Sequence, residues 1–201
     1  MNGTKNEIKM GREAILQSIK ENKPDLLPMP TVNVEAFAED LNILEVFKNN
    51  IALVGGNIKQ IEKKAIDTEV KTIYSKAKRI VSTSSKTALG TVKISIDTDP
   101  HELEDIDLAI VEGEFGVSEN GAIWVTAENS IVRALPFITN DLVIILEKDK
   151  LYLHMHQAYD IISQRNRSFG VFISGPSKTA DIEQCLVVGA HGAMSLTVLL
   201  V

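Results

Sequence analysis

Two short apolar runs near the end of the chain, Val171–Ser174 and Leu196–Val201, constrain the fold more than any other feature. Apolar runs of about four to eight residues bounded by turn residues are typical of strands buried on both faces. A polar loop and one short amphipathic stretch separate the two runs. This order predicts a strand, a capped turn, a helix and a closing strand, and therefore an α/β fold.

The loop after the first run, Gly175–Asp181, has the composition of a strand-to-helix turn. The hydroxyl of Ser177 or Thr179 could accept hydrogen bonds from the free N–H groups of the helix that follows. Such a turn at the end of a buried strand can hold an anion or a carboxylate. The alternative is a plain crossover connection with a polar cap. A second glycine-rich turn, Gly189–Gly192, closes the unit before the last strand.

The upstream part of the chain alternates helical and strand patterns. Apolar residues at helical spacing predict a helix from Thr4 to about Asn22, a second that ends near Val54, and a third around Ile66–Tyr74. Further predicted elements are strands at Asn57–Ile61, Arg79–Ser82, Val92–Ile96, Leu108–Val111 and Leu142–Leu146, and a helix over Tyr152–Ile162. Strand, helix and strand in succession form a βαβ unit, so we expect a mostly parallel central sheet with flanking helices.

Prolines divide the first helix from the rest of the chain. Pro24, Pro28 and Pro30 favour an extended connection, because proline disfavours helix at the residue before it. We therefore expect residues 1–33 to form a helical arm with a proline-rich connection and residues 34–201 to form the α/β domain. The arm would pack on the body or on a second subunit, which leaves a homo-oligomer open.

A β-hairpin is predicted in the middle of the chain, over Phe115–Val125. The pair Asn120-Gly121 between apolar runs is the strongest short hairpin signal, because both turn residues must tolerate a positive φ. Glu119 directly precedes this turn. A carboxylate held there could act as a nucleophile or a base, and an ordinary exposed hairpin glutamate is the alternative.

Charge and composition exclude several classes of partner. The net charge is −6 and no basic run exceeds three residues, which argues against nucleic acid as the main partner. The longest apolar stretch is far shorter than the roughly 18 to 20 residues that span a bilayer. The first residues also lack the apolar core of a signal peptide. A single cysteine, Cys185, indicates a reducing compartment, so we expect a cytoplasmic protein without an iron–sulfur cluster of its own.

Metal binding is not expected from the sequence. The carboxylates of Asp97–Asp107 are dense, but a solvated acidic face is the more common origin of such a run. His154 and His156 are two residues apart, so on a helix they point in nearly opposite directions and cannot grip one ion.

Two C-terminal motifs resemble those of the LUD domain, the family of lactate utilization protein C (LutC). The first is the string Gly-Pro-Ser-Lys-Thr-Ala-Asp-Ile-Glu at Gly175–Glu183, and the second is Gly-Ala-His-Gly at Gly189–Gly192. An upstream family motif, an acidic-aromatic pair followed by Ala-Glu-Thr-Gly-Thr, is matched around Glu119 and Gly121. Here Asn120 and Ala122 replace the usual threonines, and Asn140 stands where the family has a histidine. The resemblance is clearest from about Leu108 to Val201.

The resemblance implies an α/β fold similar to the ribose-phosphate isomerase and CoA-transferase superfamily. It implies a part in a three-protein system that oxidises L-lactate to pyruvate, in which LutA-like and LutB-like partners carry the iron–sulfur clusters. This chain would then have no cofactor of its own and would bind a small anionic metabolite.

Two other functions remain open. Ser118-Glu119-Asn120-Gly121 resembles the signature of CoA-transferases, whose glutamate forms a covalent acyl intermediate. That resemblance implies an enzyme with Glu119 as its nucleophile. The second alternative is a non-catalytic binding or assembly subunit.

We expect the site at the carboxyl ends of the central strands, where open α/β sheets bind ligands. Glu119 and His191 are the catalytic candidates, with His191 as a proton carrier or, equally, as a structural turn residue. In this arrangement Glu119 and Asn120 face the C-terminal loop across a cleft. The expected ligand-binding residues are Asn120, Gly121, Gly175, Ser177, Thr179, Asp181, Glu183 and Gly192.

Overall fold

The computed structural model describes residues 4–25, 27–28, 30, 33, 40–165, 169–180 and 186–201. The chain divides into two compact units, Met1–Ala38 and Glu39–Val201. The first unit contains helix α1 (Thr4–Glu21), which ends one residue before the position that the sequence predicts. No helix among the described residues is long and apolar enough to cross a bilayer.

The second unit is an α/β domain. Its helices are α2 (Ile43–Leu53), α3 (Ile66–Ile73), α4 (Ala127–Ser130), α5 (Leu135–Ile138) and α6 (Met155–Ser163). Its strands are β1 (Asn57–Gln60), β2 (Ile80–Ser82), β3 (Leu108–Glu112), β4 (Phe115–Val117), β5 (Ala122–Thr126), β6 (Asp141–Leu146), β7 (Leu151–Tyr152), β8 (Gly170–Ile173), β9 (Lys178–Ala180), β10 (Leu186–Val188) and β11 (Ser195–Leu200).

Five strands form the predicted parallel sheet, in the order β1-β11-β6-β3-β2. The middle strands β11 and β6 are apolar and almost entirely buried, because other secondary-structure elements pack on both faces of the sheet. One core contains Phe47 and Ile51 of α2, and another contains Ile66 and Val70 of α3. The prediction of an α/β fold with a parallel central sheet is therefore confirmed.

The predicted hairpin is also present, as antiparallel β4 and β5 within a second sheet of order β7-β4-β5-β8. Gly121 has φ +65° in the turn. This is the positive φ that the Asn-Gly pair predicts for a hairpin turn. Phe115, Trp124 and Phe172 form an aromatic cluster on this sheet.

The structure places the first C-terminal apolar run differently from the prediction. That run forms β8, which pairs antiparallel with β5 at the edge of the second sheet and is only partly buried. The expectation of a strand buried on both faces of the central sheet is wrong for β8 and correct for β11. The reason is that β8 extends the hairpin sheet and has a neighbouring strand on only one side.

The prediction of a capped helix after Ser177 is also wrong within the described residues. Lys178–Ala180 and Leu186–Val188 pair as the antiparallel strands β9 and β10, with Thr179 opposite Val187. The β-branched residues Thr179, Val187 and Val188 favour this two-stranded ribbon. Among the described residues of this segment, no helix N-terminus follows the loop as an anion site.

Two smaller predictions also differ from the structure. Val92–Ile96 is not a strand, since only Val92 makes an isolated bridge, to Val81. Its alternating pattern arises because Val92 and Ile94 pack on the core, whereas Ile96 is 84% exposed. The helix predicted from Tyr152 begins at Met155, because Leu151–Tyr152 pairs with β4 as β7.

Candidate functional site

The C-terminal motifs meet at one cavity of about 300 Å³. We call it the motif cavity, and its motif residues are Gly175, Ser177, Lys178, Thr179, His191 and Gly192. Pro136, Phe137, Leu142, Ala193 and Leu196 complete much of the wall, and they lie at or just before the starts of β6 and β11. The cavity is therefore at the amino-terminal edge of the central sheet, and the expected position at the carboxyl edge is wrong for these residues.

Backbone hydrogen bonds join the two motifs. Ser177 N–H donates to Ala193 O at 2.9 Å, and Gly189 N–H donates to Ser177 O at 3.1 Å. Gly192 lies so close to Ser177 that a Cβ at position 192 would be 3.1 Å from the Ser177 Cβ. The Ser177 side chain is thus fixed between the two turns at the cavity wall.

The loop is anchored to the end of α2 through Val54. Gly175 has φ +76°, and a Cβ there would lie 2.6 Å from Val54 O, so this position requires glycine. The Lys178 ammonium donates a hydrogen bond to the same carbonyl. These contacts hold the beginning of the motif in place and set the position of the Lys178 stem.

The chemistry of the motif cavity suits a small anion. Lys178 brings a positive charge that no carboxylate compensates among the described residues, because its partner is the neutral Val54 carbonyl. Ser177 and Thr179 add hydroxyl groups, and His191 adds an imidazole. Phe137 and Phe172 supply an apolar wall. A few polar groups on an apolar wall are the usual composition of a small-molecule site.

Glu119 does not line this cavity. Its Oε2 accepts hydrogen bonds from His154 Nδ1 at 3.0 Å and from the Met155 N–H at 3.1 Å. Met155 is the first residue of α6, so the carboxylate satisfies one of the free N–H groups at the start of that helix. The expectation that Glu119 faces the C-terminal loop across a cleft is wrong, because the side chain is held at α6.

The hairpin turn does reach the start of the motif through Asn120. Asn120 O accepts a hydrogen bond from Ser174 Oγ at 2.7 Å, while its side chain accepts from the Ala122 N–H within the turn. Gly121 packs against α2, where a Cβ would lie 3.0 Å from Ile51 N. Asn120 and Gly121 thus support the loop from outside and do not line the motif cavity. Asp181 and Glu183 lie outside the described residues.

A charged cluster occupies the carboxyl edge of the central sheet, where the site was expected. Lys86 Nζ lies 2.6 Å from Glu112 Oε2 and 3.0 Å from Glu147 Oε1. Glu112 also accepts from Ser84 Oγ at 2.6 Å, and Glu147 pairs with Lys63 at 2.9 Å. We call these residues the Lys86 cluster, and it adjoins a cavity of about 360 Å³.

The environment shifts the pKa values in the Lys86 cluster so that its charges persist. Burial lowers the pKa of Lys86, but hydrogen bonds to Glu112 and Glu147 raise it more, and the net pKa lies above its usual value. Burial raises the pKa of Glu112, yet Lys86 and Ser84 hold it below its usual range. The hydrogen bond from Lys63 is the largest cause that lowers the pKa of Glu147.

Sequence reasoning missed both Lys86 and Lys178 as components of these sites. A sequence signal existed for the Lys86 cluster, since its other members Ser84, Glu112 and Glu147 each stand at or just after the end of a parallel strand. Carboxyl ends of parallel strands meet at one edge of the sheet. For the motif cavity, the signal was that Lys178 is the one cationic side chain within the sequence Gly175–Glu183.

Comparisons with known proteins identify the family. The model of the LUD domain matches residues 11–201. Lactate utilization protein C of Bacillus subtilis is 33% identical over 105 residues, which cover 49% of this chain and 43% of that protein. Lactate utilization protein C of Geobacillus kaustophilus is 31% identical over 104 residues, with the same coverage. The match thus spans less than half the length of these curated relatives.

A solved structure agrees with the fold. A DUF162 family protein from Deinococcus radiodurans superposes with a TM-score of 0.56 at 16% sequence identity, covering 85% of this chain and 99% of that one. At this identity the likeness concerns the fold alone. With the domain match across nearly the whole sequence, the chain belongs to the LUD domain family.

Proposed function

We propose that this chain is the LutC-like subunit of a system that oxidises L-lactate to pyruvate together with iron–sulfur partner proteins. Its motif cavity would bind a small monocarboxylate. The relatives named lactate utilization protein C support the pathway. Because the chain has one cysteine, it lacks the thiolates for a cluster of its own, and electrons would pass through the partners.

The single observation that carries the proposal is the convergence of the two motifs on the motif cavity. Lys178 supplies the charge, and Ser177 and Thr179 supply hydroxyl groups, at a wall that is otherwise largely apolar. Hydrogen bonds to a charged group are stronger than neutral ones, so a carboxylate gains most from the Lys178 ammonium. A cavity of about 300 Å³ is at the small end of ligand sites and suits a metabolite better than a large cofactor.

Native cells grown on L-lactate provide the test of the partner assignment. We expect cysteine-rich iron–sulfur proteins to co-purify with the tagged chain, and deletion of its gene to abolish growth on L-lactate but not on glucose. A tagged unrelated protein of similar charge is the control for co-purification. Unimpaired growth of the deletion strain on L-lactate would refute the proposal.

The alternative of a non-catalytic assembly subunit gives a different result. It predicts the same co-purification and the same growth defect, but no dependence on the residues of the motif cavity. Growth and binding of variants of Lys178 therefore separate the two functions. No contact in the described residues favours the CoA-transferase alternative, because Glu119 is engaged at α6.

A further inference from the structure

A second, larger groove lies away from the motif cavity and from the Lys86 cluster. It has a volume of about 640 Å³ and joins the segment 96–100 to the segment 127–134. Its apolar wall consists of Ile96, Pro100, Ala127, Ile131, Val132 and Ala134. We call it the Ile131 groove. Its volume is within the range of ligand pockets, and its wall is mainly apolar.

The backbone at the centre of this groove is strained. Ile131 has φ +61° and ψ −62°, and Val132 N–H donates to Ser130 O at 2.7 Å across it. This is a γ-turn with a positive φ at its central residue, which is rare and costs free energy for any β-branched residue. Backbone strain of this kind is common at ligand-binding sites.

The surrounding contacts hold the turn in this conformation. Ser130 is fully buried and its Oγ donates to Thr126 O at 3.0 Å, while the Ile131 N–H donates to Ala127 O at 2.8 Å. Val132 continues into the core. The turn therefore directs Val132 inward and leaves Ile131, 36% exposed, on the groove wall.

Arg133 supplies the charge of the Ile131 groove. Its guanidinium lies 5.2 Å from the centroid of the Phe169 ring, a cation–π contact that fixes its position without neutralising it. No carboxylate among the described residues forms an ion pair with Arg133. A planar guanidinium with free donors matches a carboxylate, which it can bind through two hydrogen bonds.

Glu128 is the other charged residue at the groove and limits what can bind. The hydrogen bond from its own N–H holds the pKa of its carboxyl below its usual range. It is therefore negatively charged at neutral pH, and it repels a second anionic group on a ligand. The groove accordingly favours one negative charge and an uncharged body.

We propose that the Ile131 groove binds an amphipathic monocarboxylate, with the carboxylate on Arg133 and the apolar body along the Ile131 wall. Large apolar surface removed from water supplies most of the affinity, and the guanidinium supplies the orientation. The ligand differs from the small carboxylate proposed for the motif cavity, because the groove is about twice as large and much more apolar. This proposal is independent of the function in L-lactate oxidation.

Titration of the full chain with octanoate, followed by ¹H–¹⁵N NMR, tests the proposal. We expect shifts confined to residues 96–100 and 127–134 and their neighbours. Octan-1-ol, which lacks the charge, and octanedioate, which has a second one, should bind more weakly. Arg133→Gln should weaken octanoate binding about tenfold, as expected for the loss of a charged hydrogen bond.

Two further variants separate binding from folding. Ile131→Gly preserves Arg133 and relieves the turn, so it should keep the spectrum elsewhere unchanged and still weaken octanoate binding. Lys148→Gln removes a surface charge outside the groove and should change the affinity by less than about twofold. The proposal would be overturned if octanoate shifted the NMR signals of the motif cavity instead of the groove. It would also be overturned if Arg133→Gln bound octanoate as tightly as the wild type does. Equal binding of octan-1-ol would overturn the role of the charge.

Discussion

The carboxylate of Glu119 accepts a hydrogen bond from His154 Nδ1 at 3.0 Å and so joins the hairpin turn to the start of α6. The backbone continues this junction, since the Glu119 N–H donates to Leu153 O at 3.0 Å. A residue that a short motif predicts to be catalytic thus accepts a hydrogen bond from a free N–H group at the start of a helix in the fold.

Replacing Glu119 should lower stability by removing the acceptor for the Met155 N–H at the start of α6, next to the N-cap residue His154. We expect Glu119→Ala to reduce the free energy of unfolding by about 0.5–2 kcal/mol, the usual loss for a helix cap. Glu119→Gln retains an acceptor and should lose less. Urea denaturation followed by circular dichroism measures both. Glu104→Ala is the control, because it removes an exposed carboxylate from the surface. If Glu104→Ala lowered the free energy of unfolding as much as Glu119→Ala does, the role of Glu119 at the start of α6 would be contradicted.

The same placement predicts that Glu119 forms no covalent adduct. A carboxylate that already accepts two hydrogen bonds at α6 is poorly placed to attack a thioester. Incubation with a range of acyl-CoA compounds, followed by intact-protein mass spectrometry, should show only the unmodified chain. An adduct on the peptide that contains Glu119 would restore the CoA-transferase alternative.

The Lys86 cluster should make stability depend on pH at both extremes. The folded pKa values of Glu112 and Glu147 are lowered, so their contribution is complete above the unfolded carboxyl pKa of about 4.3 and is lost as pH falls through the folded values. The folded pKa of Lys86 is raised, so its contribution is complete below about 10.4 and is lost as pH rises through the folded value.

Substitution of Lys86 tests this account. Lys86→Met leaves the two glutamates without this partner and should reduce the free energy of unfolding at pH 7 by about 1–3 kcal/mol. The difference from the wild type should narrow in acid, where the glutamates are protonated. Lys64→Met removes only an exposed pair with Glu62 and should cost less than about 0.5 kcal/mol. A difference that stays constant from pH 7 into acid would contradict the account.

Gly175 should not tolerate a side chain. Its positive φ and the short approach to Val54 O both oppose Gly175→Ala, which should reduce the free energy of unfolding by about 1–3 kcal/mol. Gly11→Ala is the matched control, because a Cβ there meets no atom within 4 Å and alanine favours the helix. Thermal denaturation of the two variants measures the contrast. Wild-type stability of Gly175→Ala would contradict the described geometry of the loop.

Lys178 should control the affinity of the motif cavity for carboxylates. Lys178→Gln retains a donor for the Val54 carbonyl and removes the charge, so the fold should persist. We expect binding of L-lactate or pyruvate to weaken about tenfold, as for other charged hydrogen bonds. Titration followed by NMR shifts of residues 175–180 and 189–193 measures the effect. Lys148→Gln should bind as the wild type does, and a similar loss in that variant would point to a nonspecific effect of charge.

The sequence predicted those helices and strands whose formation depends mainly on residues that are adjacent in the chain. The hairpin followed from Asn120-Gly121, because only certain residues adopt its turn, and β6 and β11 followed from uninterrupted apolar runs. The ribbon of β9 and β10 could not be predicted in this way. Its strands are only three residues long, too short for a period-two pattern to be read, and their pairing places Thr179 opposite Val187, eight residues away in sequence.

The candidate sites were only partly predictable for the same reason. The motifs identified Ser177 and His191, but the edge of the sheet at which they lie depends on β8 joining the second sheet. The Lys86 cluster joins residues from separate strand ends, such as Lys86 and Glu112, which are 26 residues apart. The positions of Glu112 and Glu147 at strand ends indicate a shared edge of the sheet, but no local pattern places Lys86 between them.

Growth on L-lactate of a strain that lacks the gene tests the central claim most directly, when the strain is complemented with Lys178→Gln or with Lys148→Gln. The control variant should restore the growth rate of the wild type, because Lys148 is an exposed residue outside the motif cavity. Lys178→Gln, expressed at an equal level, should restore growth poorly. Full growth with Lys178→Gln would contradict a carboxylate site in the motif cavity and would favour an assembly subunit.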